Sequence, residues 1–182
     1  MIATVSDNMQ EMFPVVDEQG CITGAATRGE CHDGKSMLLH PVVHLHIFNS
    51  QGDIYLQKRP EWKDIQPGRW DTAVGGHVAL GENVEMALRR ETLEELGIDL
   101  RGLSPERLDT YIFTSARERE LVYAHRLTWD DPLHPSAETS GGRFWSREEL
   151  LATMGKDVFT PNFESEYRRL FLSPSSDNTS PL

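Results

Sequence analysis

Cysteine is scarce in this 182-residue chain, with only Cys21 and Cys31. Two thiols outside any CxxC pair exclude a disulfide framework and fit a reducing compartment, where both read as ordinary small buried residues. No stretch approaches the roughly 18 consecutive apolar residues of a membrane span. The first residues, MIATVSDNMQEMF, have neither the basic start nor the apolar run of a secretory leader. A cytoplasmic protein that engages no membrane is therefore expected. Positive charge is also in short supply, since 18 Lys and Arg against 29 Asp and Glu leave a net charge of −11. That balance disfavours a nucleic-acid polymer as partner, because backbone binding needs clustered cations. Internal repeats and shifts of composition are missing, so nothing marks a second domain. What is there is ordinary: 38% hydrophobic and 26% charged residues are too apolar for wholesale disorder. The length suits one domain of about 150 residues with trimmings.

Short apolar or alternating runs bounded by turn residues fill the first half. FPVVDEQGCITGAATR reads as a hairpin turning at Glu18 to Gly20, and VVHLHIFNSQGDIYLQKR as two strands around Ser50 to Asp53. In the first of these two strands, Val43, Leu45 and Ile47 share one face, and His44 and His46 lie on the other beside Val42 and Phe48. The histidine face is either a site or a wetted sheet face. The wetted face is the simpler reading, because two histidines need a third ligand before they mean metal. LDTYIFTSARERELVYAHRLTW reads as two strands joined by a charged loop, and GRFWS as another short strand. Ser146 with Glu149 forms a capping-box start for a helix through about Met154, and Thr160 with Pro161 opens a last helix toward Leu172. Mixed strands and about three helices indicate a layered α/β (α+β) domain. Its expected bounds are 12–172, between a flexible N-terminus (1–11) and a Pro/Ser-rich disordered tail (173–182).

The clearest helix spans Val84 to Leu96, with Asn83 as N-cap and Gly97 where a left-handed C-terminal cap belongs. Val84, Ala87 and Leu88 define its apolar stripe, yet Glu91 and Glu95 project into that stripe and Glu94 flanks it. A solvated charge run would lie on the opposite side. Crowded, partly buried carboxylates need cations, supplied either by Arg89 and Arg90 or by a divalent metal. Hard oxygen ligands of this kind suit Mg²⁺ or Mn²⁺.

The wider pattern GGHVALGENVEMALRRETLEELGI resembles the Nudix signature: Gly, five residues, Glu, seven residues, then REUxEExGU, where U is a bulky aliphatic residue. Gly76, Glu82, Arg90, Glu91, Glu94, Glu95, Gly97 and Ile98 fall in register across 76–98. Seven fixed matches arise by chance on the order of 10⁻⁸ per starting point. Thr92 departs, standing where the signature has an aliphatic residue. The resemblance implies a mixed sheet sandwiched between helices, an α/β/α arrangement, with the box as a loop, helix and loop over the sheet. It implies Glu91, Glu94 and Glu95 as metal ligands, helped by the carbonyl of Gly76, and Glu82 and Arg90 as structural supports. It also implies hydrolysis of a nucleoside diphosphate linked to another group.

A second resemblance covers most of 12–150. VVDEQG, ATRGECH, LLHPVV, LQKR, PGRWDTAVGGH and RERELV look like isopentenyl-diphosphate isomerases and their isomerase-like Nudix hydrolase relatives. It places His32, His40 and His77 at metal-binding histidine positions, and Glu118 and Glu120 at a metal-binding carboxylate and the acid/base glutamate. The isomerase reaction needs a cysteine just before the Gly-His pair, where this chain has Gly75. A glycine cannot shuttle a proton, so a diphosphate hydrolase is expected in preference to an isomerase. Catalysis is assigned to Glu95, Glu120 and Glu94, with Glu120 or Glu95 orienting the water. Phosphate contacts are assigned to Lys58, Arg59, Arg117 and Arg119. Trp70 is read as a packing residue. A non-catalytic nucleotide-binding sensor is the remaining alternative, and a homodimer stays open.

Overall fold

The computed structural model describes residues 8–63, 66–137 and 139–172. The tail expected at 173–182 lies outside them. So do residues 1–7 of the expected flexible N-terminus; in residues 8–11 the carbonyls of Met9 and Glu11 accept from the amides of Gly29 and Arg28.

The hairpin reads as expected, with β1 (Met12–Val16) antiparallel to β2 (Ile22–Thr27). A short helix, α1 (Arg28–Cys31), follows, capped by a reciprocal Thr27–Glu30 box. Next come β3 (Leu39–Phe48), β4 (Ile54–Lys58), β5 (Trp70–Thr72) and β6 (Val74–His77). Helix α2 (Val84–Leu96) has Asn83 Oδ1 accepting from Met86 N–H and Gly97 in the left-handed region at φ 71°. β7 (Glu106–Thr114), β8 (Arg119–Thr128) and β9 (Gly142–Trp145) lead to α3 (Arg147–Thr153) and α4 (Pro161–Tyr167), and a π-helical stretch continues through Arg168–Leu172.

A mixed seven-stranded sheet runs β5-β4-β3-β8-β7, with β6 also paired to β3 and β9 to β4. The β3–β8 pair is parallel and the other pairs are antiparallel. Each face is covered. Val43, Leu45 and Ile47 pack with Ala87, Leu88 and Leu96 of α2. Across the sheet, Ile54 and Leu56 pack with Leu150 of α3 and with Phe163 and Tyr167 of α4. Tyr55, between them in β4, belongs to the α2 side, which is the alternation a pleated strand imposes. Trp70 joins the α4 side edge-to-face with Trp145.

Two expectations change. The histidine face of β3 is not wetted: His46 is fully buried and His44 nearly so, both paired with Glu166 of α4. Cys31 is buried with Phe13 and Ala26, but Cys21 is exposed, because it closes the β1–β2 turn where no layer covers it.

Candidate active site

β6 has two consecutive glycines where side chains would fill the site. A Cβ on Gly76 would lie 2.0 Å from Glu91 Cδ, so only glycine lets the α2 carboxylate rest against the strand. Gly75 N–H donates to Glu95 Oε2 at 3.4 Å, and Gln57 Nε2 donates to the same oxygen at 3.2 Å. Burial, reinforced by the charge of Glu91, pushes Glu95 up to about 8. Burial also raises Glu91, against the pull of Arg90.

Arg90 organises the box. Its Nε and Nη2 donate to the two Glu82 oxygens, each at 2.8 Å, while Nη2 also reaches His77 O at 3.0 Å. Nη1 donates to Glu91 at 2.7 Å and to Glu94 at 3.3 Å. This fork ties the loop before α2 to the helix, and the Arg90 hydrogen bonds hold Glu82 below the usual carboxylate range. Glu94 is 59% exposed at its side chain, turned out toward Arg90, whereas Glu91 is 14% exposed. At about 100° per residue, neighbours Glu94 and Glu95 cannot share one face, which is why the three box carboxylates do not converge equally.

A second group of ligand atoms stands beside the first. Parallel pairing of β3 with β8 sets His40 opposite Glu120. His32, His40 and His77 bring ligand atoms within 4.8 Å of one another, and so do His40, Glu118 and Glu120. His32 Nε2 is 3.1 Å from His77 Nε2 and 3.3 Å from Glu118 Oε2. Phe13 of β1 stacks flat on His77 at 4.3 Å and backs the cluster. Burial, with Glu118 adding to it, pushes Glu120 up to about 8, and burial lowers His40 and His77.

Both groups border one cavity of about 530 Å³, whose lining includes Gly75, Gly76, His77, Glu91, Glu95, Glu118 and Glu120. Lys58, Arg59 and Arg117 also line it. Arg59 pairs with Asp71 at 3.2 Å, and Asp71 in turn accepts from Thr160 Oγ1. Arg119 is placed elsewhere, because strand alternation turns it away from Glu118 and Glu120 and onto Glu18 at 2.6 Å. Cys31 does not line the cavity, and burial pushes its thiol up to about 11.

The residues present fit a divalent cation. Among the described residues, His40 Nε2 and Glu120 Oε2 are buried with no hydrogen-bond partner, a costly state that a metal ion would relieve. Sequence reasoning passed over Gln57, Asp71 and Glu166. Gln57 and Asp71 carry no local signal. Glu166 does: like Glu91, it is a carboxylate set between apolar positions of a helix, here Phe163 and Tyr167.

The NUDIX domain family model matches residues 38–163. An uncharacterized Nudix hydrolase of Listeria monocytogenes is 33% identical over 69% of this chain and 74% of its own length. An isopentenyl-diphosphate Delta-isomerase of Leifsonia xyli is 31% identical over 78% of this chain and 80% of its own length. The crystal structure of a Deinococcus radiodurans protein, also described as a hypothetical Nudix protein, superimposes with a TM-score of 0.76 at 26% identity, covering 88% of this chain and 99% of that one. With the box in register, the mixed sheet between helices and these likenesses, the chain belongs to the NUDIX domain family and is a Nudix hydrolase.

Proposed function

We propose that the chain cleaves a phosphoanhydride bond of a nucleoside diphosphate-linked or similar small-molecule diphosphate by attack of water, with Mg²⁺ or Mn²⁺, in the isomerase-like branch of the family. The observation that carries this reading is that two acidic groups, Glu91 with Glu95 and Glu118 with Glu120, line one cavity together with Arg59 and Arg117. Glu91, Glu94, Glu95 and the Gly76 carbonyl would hold a metal at the box, and His32, His40, His77, Glu118 and Glu120 a second one with softer donors. Bound there, the metal supplies neutralisation of phosphate charge and a more acidic water.

The side chains do the remaining work. Glu120 or Glu95 accepts the water's proton. Both carboxylates line the cavity that would hold the diphosphate and the water. Lys58, Arg59 and Arg117 orient the diphosphate oxygens. Arg90 and Glu82 keep the box loop in place.

The test is a panel of nucleotide sugars, dinucleotides, modified nucleotides and prenyl diphosphates with Mg²⁺, comparing wild type with Glu94→Gln and Glu95→Gln. Loss of turnover in the variants is expected; equal activity in all three would remove the metal role. The assembled histidine cluster favours one second reading, isopentenyl-diphosphate isomerisation. Against it, Gly75 offers no thiol and Cys31 stands outside the cavity. Conversion of isopentenyl diphosphate by the wild-type protein would establish that reading instead. Ligand-induced thermal stabilisation without product over hours would indicate a sensor.

A further inference from the structure

Among the polar groups on the cavity that belong to neither ligand group is His44. His44 lies in the middle of β3 on the face covered by α4, and it lines the cavity. Its Nδ1–H donates to Glu166 Oε2 at 2.8 Å, while the other Glu166 oxygen is 3.4 Å from His46 Nε2. Glu166 is 1% exposed, so this carboxylate has no water to serve and is shared among His44, His46 and the neighbouring Tyr111 hydroxyl. A carboxylate behind one ring nitrogen fixes the orientation of an imidazole and determines what the other nitrogen can do. That other nitrogen, Nε2, makes no hydrogen bond among the described residues.

Gly75 decides what Nε2 can reach. The β3–β6 pairing sets His44 directly opposite Gly75, and opposed residues of neighbouring strands share a face. A Cβ on Gly75 would rest 3.6 Å from His44 Cδ2 and 3.7 Å from Nε2, in ordinary contact with that edge of the ring. Gly75 itself is exposed and lines the same cavity. With no side chain at Gly75, that edge of the ring is left uncovered on the cavity that Glu95 and Glu120 also line.

We propose that His44, aimed by Glu166 and uncovered by Gly75, is a further substrate-contacting residue that donates a hydrogen bond from Nε2 to a non-bridging oxygen of the bound diphosphate. The assignment rests on the diphosphate reading of the site given above. Burial alone would push the ring's pKa down, but the charge and hydrogen bond of Glu166, with Glu120 and Asp71 adding to them, lift it to about 9. The ring is then an imidazolium near neutral pH, and its donated bond is charge-assisted. Glu166 is a positioning residue: it touches His44, not the cavity.

The probe is methylenediphosphonate, a non-hydrolysable diphosphate, added with Mg²⁺ to ¹⁵N-histidine-labelled protein, with the His44 signals identified by their loss in His44→Gln. In wild type the His44 Nε2 resonance is expected to shift on addition of the probe. In Gly75→Ala, which leaves the His44–Glu166 pair intact, the new methyl covers the ring edge and the shift should shrink or vanish. In Glu166→Gln the Nδ1 signal should move before any probe is added, and the probe response should weaken; a merely structural Glu166 would not change that response in a folded protein. For whichever diphosphate the panel shows to be hydrolysed, kcat/KM should fall about tenfold to a hundredfold in His44→Gln and in Gly75→Ala. The double variant should be no worse than His44→Gln alone. If removing His44 costs Glu166 its shorter partner and unfolds the chain, Gly75→Ala still decides the matter. The probe titration does not depend on turnover. Failure of the whole panel therefore overturns the hydrolase reading alone, whereas an unmoved His44 signal overturns the role of His44.

Discussion

At the scale of single residues, two absences of side chain shape this site as much as any carboxylate. Gly76 admits Glu91, so Gly76→Ala should displace that carboxylate and lower kcat/KM by about 10²-fold, as displacements near 1 Å do. Its circular dichroism and melting temperature should stay near those of wild type; an active Gly76→Ala enzyme would show that Glu91 need not lie against β6. The His44–Glu166 pair makes a separate expectation for stability. A histidine raised from 6.5 to about 9 in the folded state contributes stability that is fully present below pH 6.5 and lost as pH rises through about 9. Glu166, held far below the usual carboxylate range, has the opposite sense, and its contribution is lost as pH falls. Between pH 6.5 and 9.5 wild type should therefore lose up to about 3 kcal/mol more than the double variant His44→Gln/Glu166→Gln. Urea unfolding at a series of pH values checks this, and parallel slopes would mean that the pair does not titrate as described.

At the scale of elements, α2 was fully legible because its signals are local. Asn83 caps it, Gly97 ends it, and Glu91 and Glu95 stand in its apolar stripe. Thr92 was legible only as a departure from the signature. The structure shows it fully buried, with its hydroxyl donating to the Leu88 carbonyl at 2.6 Å within the same helix. Among the described residues that hydroxyl serves no other element, so Thr92→Val should stabilise the fold by about 0.5–1 kcal/mol through added apolar burial. Thermal unfolding should show a rise of a few degrees with unchanged activity, and a drop would show that the hydroxyl supports the box. Ser146 caps α3 by accepting from Glu149 N–H, as the sequence predicts, but the Glu149 carboxylate turns to Arg143 instead of closing the box. The reciprocal box is at Thr27–Glu30, on a helix too short for any periodicity to reveal.

At the scale of the whole molecule, the net charge of −11 draws cations toward a cavity already rich in carboxylates and opposes a polyanionic substrate until those cations are bound. Raising NaCl from 0.1 to 1 M shortens the screening length from about 10 to about 3 Å. The Mg²⁺ concentration for half-maximal thermal stabilisation should then rise several-fold; an unchanged midpoint would assign metal affinity to the ligands alone. The sequence by itself determined the box helix, its caps, the strand-rich scaffold and the residue types at the site, because capping, periodicity and turn chemistry act within a few residues. Only the tertiary structure decided that His40 lies beside Glu120, that Arg119 turns out to Glu18, and that Glu166 reaches back across the sheet to His44. Those juxtapositions depend on strand order, parallel register and which face a helix covers. These are fixed by burial of the sheet as a whole and leave no local trace in the chain.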